Sequence, residues 1–171
     1  MTTRTLPIPA ASWYPSNDAA TFDSAQLQVK QSSAAVPSPR WLEWVFDTTS
    51  DEFILTSFIM PGNYVSAPVL KVYYKCTSAT TGTAAFEAQM SAITDADATD
   101  MDADTLQAVN AGTATVPGTA GYIDVITITL TNADSVAAGD HVILSLNRDT
   151  SADSVAGDLE VMGCDFQYSD V

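Results

Sequence analysis

Apolar and polar side chains alternate with a period of two along most of this chain, and the clearest stretch lies near its C-terminal end. Tyr122 to Thr131 is a long β-branched run, His141 to Arg148 alternates apolar and polar residues, and Asp158 to Tyr168 alternates again. Turn residues separate the three: Asn132-Ala-Asp-Ser and Ala138-Gly-Asp between the first two, and Asp149 to Gly157 between the last two. A two-residue repeat broken by Gly, Asn and Asp is the mark of strands joined by turns.

Earlier segments carry the same signal. Thr21 to Gln31 alternates moderately, Trp41 to Phe46 is apolar on both faces, and Glu52 to Met60 is stopped by Pro61-Gly-Asn. Val69 to Cys76 places Leu70, Val72, Tyr74 and Cys76 on one face and Lys71, Tyr73 and Lys75 on the other. Thr83 to Thr94 fits a strand or a short helix, and Asp95 to Gly121 has no sustained period and reads as a polar loop. No segment predicts a helix of 12 or more residues. The expectation is an all-β fold, an antiparallel β-sandwich of jelly-roll type with eight or nine strands.

Residues 1–20 stand apart. Leu6-Pro-Ile-Pro and Ser12-Trp-Tyr-Pro resist helix and lack ladder donors. They predict an extended Pro-rich N-terminal arm (1–20) ahead of a single sandwich domain (21–171). Trp13 and Tyr14 are its candidate anchors, since rings left in water gain by docking on a neighbour or back on their own domain.

The chain has 171 residues, enough to bury a full core without disulfides or metal. Its net charge of −15 comes from 21 acids against six scattered bases, Arg4, Lys30, Arg40, Lys71, Lys75 and Arg148. No basic stripe can neutralise phosphates, so neither nucleic acid nor an anionic membrane is an expected partner. Of the acids, 17 are Asp, the residue of turns, and four are Glu. No signal-peptide pattern opens the chain, so folding in a cytoplasm is expected. Cys76 and Cys164 fall on apolar faces of expected strands and read as buried thiols.

Candidate chemistry is sparse. Asp95, Asp97, Asp100, Asp102 and Asp104 form an acidic run with Ca²⁺-loop spacing, but Asp100 stands where an EF-hand needs Gly and Leu106 where it needs Glu. A solvated acidic loop is the preferred reading and another Ca²⁺ geometry the alternative; otherwise no cofactor is expected. His141, the single histidine, has too few partners for zinc or a triad and reads as a strand-edge residue beside Asp140. Glu43, Glu52, Glu87 and Glu160 lie on or at strands, where chance carboxylate pairs carry no glycosidase signal. Trp41, Trp44, Tyr73 and Tyr122 suggest either a sugar-stacking platform or, for the tryptophans, core packing, which is favoured. Nothing points to an enzyme.

The block from Leu130 to Asp149, with its N-x-D-x-x-x-A-G-D turn, and Gly157 to Tyr168 after it, together with Phe58 to Val65 and Leu70 to Tyr74, resembles β-sandwich structural proteins of tailed bacteriophages. These occur as head decoration proteins, head fibres or tail-associated modules. The resemblance implies a non-enzymatic virion protein, a capsid decoration or cement protein, forming a trimer on the major capsid protein. A head-fibre or tail and neck adaptor is the alternative within that class, and a glycan-binding jelly-roll module is the alternative outside it.

Overall fold

The computed structural model describes residues 1–16, 24–95 and 100–170, and these form a sandwich of two antiparallel sheets. The strands are β1 (Thr3–Pro9), β2 (Tyr14–Pro15), β3 (Gln26–Gln31), β4 (Arg40–Phe46), β5 (Phe53–Ile59), β6 (Tyr64–Lys75), β7 (Thr83–Ile93), β8 (Asn110–Thr115), β9 (Ile123–Thr129), β10 (His141–Arg148) and β11 (Leu159–Asp170). One sheet runs β3-β4-β11-β6-β9, with β1 also on β11; the other runs β2-β5-β10-β7-β8. The all-β jelly-roll expectation holds. Eleven strands are present among the described residues rather than eight or nine, the additional ones being β1, β2 and β8.

Residues 3–15 contribute to both sheets. β1 pairs with β11 from Thr3↔Ser169 to Pro9↔Gly163, and β2 pairs with β5 at Tyr14↔Leu55. Pro7 and Pro9 are tolerated because β1 has a single partner strand. Trp13 is 4% exposed and belongs to the core, whereas Tyr14 is 44% exposed. The Trp44 indole N–H donates to the Ala10 carbonyl at 2.8 Å, which ties this segment to β4.

β4 and β1 share one side of β11: Leu159 to Val161 face β4, and Gly163 to Ser169 face β1. The changeover coincides with a bulge between Val161 and Gly163. Gly163 has φ +151°, and a Cβ there would stand 3.1 Å from the Ile8 carbonyl oxygen. Only glycine fits the combination of backbone angle and close approach.

The core lies between the inner faces. Leu70, Val72 and Tyr74 of β6, Ile126 and Ile128 of β9, and Phe166 of β11 meet Ile54 of β5, Phe86 and Met90 of β7, and Val142, Leu144 and Leu146 of β10, all of them fully buried. Phe86 makes T-shaped contacts with two rings, with centroids 5.5 Å from Phe46 and 6.0 Å from Tyr74. Cys76 and Cys164 are buried free thiols, and burial raises the Cys164 pKa.

A groove across the five-stranded sheet

The pleat decides what the outer face of the five-stranded sheet carries. On β10, Val142, Leu144 and Leu146 point inward, so Ser145 and Asn147 point outward. Register aligns them with outward residues on both flanks: Ser145 with Leu55 and Gln89, Asn147 with Phe53 and Glu87. Two rows thus cross the three central strands, Leu55–Ser145–Gln89 and Phe53–Asn147–Glu87. Ser16, Asp51, Leu106 and Val109 rise at their margins and complete a groove of about 450 Å³. That volume is in the range of a small-ligand site.

Ser145 and Asn147 are each 1% exposed, at the floor of the groove. The Asn147 side-chain amide donates to Glu87 Oε2 at 3.2 Å. This bond fixes the amide orientation, because its oxygen would repel the carboxylate. Asn147 Oδ1 is therefore the atom left over, and it has no hydrogen-bond partner among the described residues; neither has Ser145 Oγ. Gln89 Nε2 donates to the Gln107 carbonyl at 2.8 Å, holding the segment before β8 against the sheet. The walls are apolar: Phe53, Leu55, Leu106 and Val109.

The rim at Asp51 is anchored from beneath. Asp51 Oδ1 accepts from the Thr150 backbone N–H at 2.9 Å and from its hydroxyl at 2.7 Å. Thr150 lies two residues after Arg148, whose side chain is 1% exposed inside the sandwich. Arg148 donates to the carbonyls of Phe46, Asp47, Val155 and Gly157 and to Asp153 Oδ1. One buried cation thereby ties the β4–β5 turn to the loop after β10. Burial alone would raise the Asp47 pKa, but hydrogen bonds from Thr49 and Ser50, with the Arg148 charge, hold it below the usual carboxylate range.

Residues singled out from the sequence lie elsewhere. Trp41 and Tyr73 are on the outer face of the six-stranded sheet, Tyr122 is exposed beside it, and Trp44 is in the core, so these four do not form one platform. Trp41 is held by a 2.7 Å hydrogen bond from its indole N–H to Glu43 and lies 5.9 Å from the Lys75 ammonium. Among the described residues no three His, Cys, Asp or Glu side chains gather as a metal site. Asp104 instead accepts from the Ser91 hydroxyl, Asp100 accepts from the Asp102 backbone, and Asp97 lies outside the described residues. His141 opens β10 as expected, but Asp140 accepts from the Ala137 N–H at 2.7 Å. Sequence reasoning did not find the groove. Its signal was the polar Ser145 and Asn147 at alternate positions of a strand that proved to be central to its sheet.

No protein-family model matches the sequence, and neither does any curated protein. Solved structures do match. A Clostridium thermocellum xylanase 10B structure, with its CBM22-1 and GH10 modules complexed with xylohexaose, aligns with 98% of this chain at TM-score 0.53 and 14% identity, and the chain spans 28% of its length. A carbohydrate-binding module, CBM28, specific for non-crystalline cellulose, aligns over 92% of this chain and 89% of its own at TM-score 0.53 and 10% identity. CBM35 from Cellvibrio japonicus Abf62 aligns over 98% and 95% at TM-score 0.50 and 8% identity. The neighbours are carbohydrate-binding modules and not phage structural proteins, which overturns the phage resemblance and the virion and capsid assignment made with it. The turn that suggested it is local chemistry: Asp134 and Ser135 adopt φ of 51° and 53°, and Asp140 caps the Ala137 N–H. At these identities the likeness is one of fold: the chain has a jelly-roll β-sandwich similar to those of these structures.

Proposed function

We propose that this chain is a non-catalytic carbohydrate-binding module that holds a glycan strand in the groove over the five-stranded sheet. The carrying observation is the groove floor: Asn147 Oδ1 and Ser145 Oγ are buried, unpartnered among the described residues, and set between apolar walls. A buried polar atom without a partner costs about 1–3 kcal/mol. A ligand that brings hydroxyls to the floor recovers this, and sugars pair such hydroxyls with apolar C–H faces that Phe53, Leu55, Leu106 and Val109 can cover. The fold of the structural neighbours supports the same reading.

Affinity electrophoresis and calorimetry over a panel of soluble plant and microbial polysaccharides test it. The intact chain is expected to bind at least one. Asn147→Ala is expected to weaken that binding roughly tenfold, the equivalent of one hydrogen bond of about 1.4 kcal/mol. Its circular dichroism should stay that of a β-protein. Absence of binding across the panel would reject the proposal.

A further inference from the structure

The groove also carries a charge pattern, and the inference drawn from it rests on the glycan-binding reading above. All six bases lie among the described residues, and none of them lines the groove. Arg4, Lys30, Arg40, Lys71 and Lys75 are on β1, β3, β4 and β6, all in the six-stranded sheet. Arg148 belongs to the five-stranded sheet, but its guanidinium is buried and directed at backbone carbonyls and Asp153. The groove itself holds two carboxylates, Asp51 and Glu87. Two more act beside the same sheet, Asp104 on Ser91 of β7, and Asp134 on the Ala92 N–H and Gln107 Nε2. A concave surface lined by one sign of charge focuses that sign's potential into its interior.

The free atoms of the groove agree with this. Glu87 is an acceptor in both oxygens, one of which already takes the Asn147 amide, and Asn147 Oδ1 is an acceptor. Gln89 Nε2 gives one of its two N–H groups to the Gln107 carbonyl. A ligand carboxylate or sulfate would meet the Glu87 oxygens, Asn147 Oδ1 and negative potential, with only neutral donors such as the Ser145 hydroxyl, and no guanidinium or ammonium, to receive it. A ligand hydroxyl donates to the same atoms without a charge to desolvate.

We infer that the groove discriminates by charge: it takes uncharged glycans through their hydroxyl donors and excludes uronate-bearing or sulfated chains, with Glu87 as the residue that sets the exclusion. The experiment is calorimetry on the full chain with two oligosaccharide sets of matched length. One set is neutral (β-glucan, xylan and mannan fragments), and the other is acidic (polygalacturonate and alginate fragments). Titrations are run at low salt and at several hundred millimolar salt.

The expected result is binding to a neutral fragment and at least tenfold weaker binding to every acidic one, with the gap narrowing at high salt as charge is screened. Glu87→Gln, which keeps the side-chain shape, should narrow the ratio of neutral to acidic affinity at low salt by severalfold, whatever it does to the neutral affinity alone. Acidic fragments binding as tightly as neutral ones, or a ratio that Glu87→Gln leaves unmoved, would overturn the inference while leaving the glycan-binding reading in place. Silence from both sets would overturn both.

Discussion

Three buried ionic residues on the outer face of the six-stranded sheet show how single side chains constrain this molecule. Lys75 is 7% exposed, and its ammonium lies 2.8 Å from Glu43 and 3.6 Å from Glu160, which are themselves buried. Lys30 adds a second cation 3.6 Å from Glu43, and the Trp41 indole donates to the same carboxylate. The side chains meet because β4, β11 and β6 are neighbours, with Glu160 opposite both Val45 and Lys75. Such a group is weak evidence for stability as a whole, but removing one member strands the others. Lys75→Ala leaves two carboxylates in a desolvated place and should lower unfolding free energy by about 3–5 kcal/mol. Urea denaturation with an unchanged m-value checks it. A loss under about 1 kcal/mol, the range of exposed ion pairs, would mean that water reaches the cluster.

At the level of elements, strands with large inward side chains were legible in the sequence and strands with small ones were not. β6, β9, β10 and β11 place Leu, Val, Ile, Phe and Tyr inward at every second residue, and the period of two shows through. β8 places Asn110, Gly112 and Ala114 inward, so its hydropathy is flat and it merged into a polar loop. The reason is steric. A Cβ on Gly112 would stand 2.8 Å from Ile128 Cγ1 and 2.9 Å from Ile126 Cγ2, because β8 closes the sandwich against β9. β1 was obscured differently: Pro7 and Pro9 argue against a strand, yet an edge position permits them. Gly112→Val should therefore destabilise by about 1–3 kcal/mol through overpacking, although valine is the better strand former. Thermal melting checks this, and a stabilised variant would place β8 farther from β9 than described. The groove was illegible for a related reason: pairing of β10 with β5 and β7 assembles its two rows, and no local pattern reports which strands will be neighbours.

Across the whole molecule the two outer faces have different chemistry. The six-stranded sheet carries five of the six bases, the buried ion cluster and the half-buried Trp41 and Tyr73. The Tyr73 hydroxyl donates to Asp165 at 2.8 Å, a bond that raises its pKa. The five-stranded sheet carries the groove, its unpartnered floor and carboxylates without cations. Of the aromatics that the sequence offers, Trp41, Tyr73 and Tyr122 lie on or beside the first face, whereas the groove lies on the second. The most direct test of the account is heteronuclear NMR of the labelled chain titrated with the neutral oligosaccharide that it binds best. With the glycan in the groove, amide and side-chain shifts are confined to Phe53, Leu55, Glu87, Gln89, Ser145, Asn147 and their margins, with the Asn147 side-chain amide among the largest. Shifts centred instead on Trp41, Tyr73 and Tyr122 would contradict it.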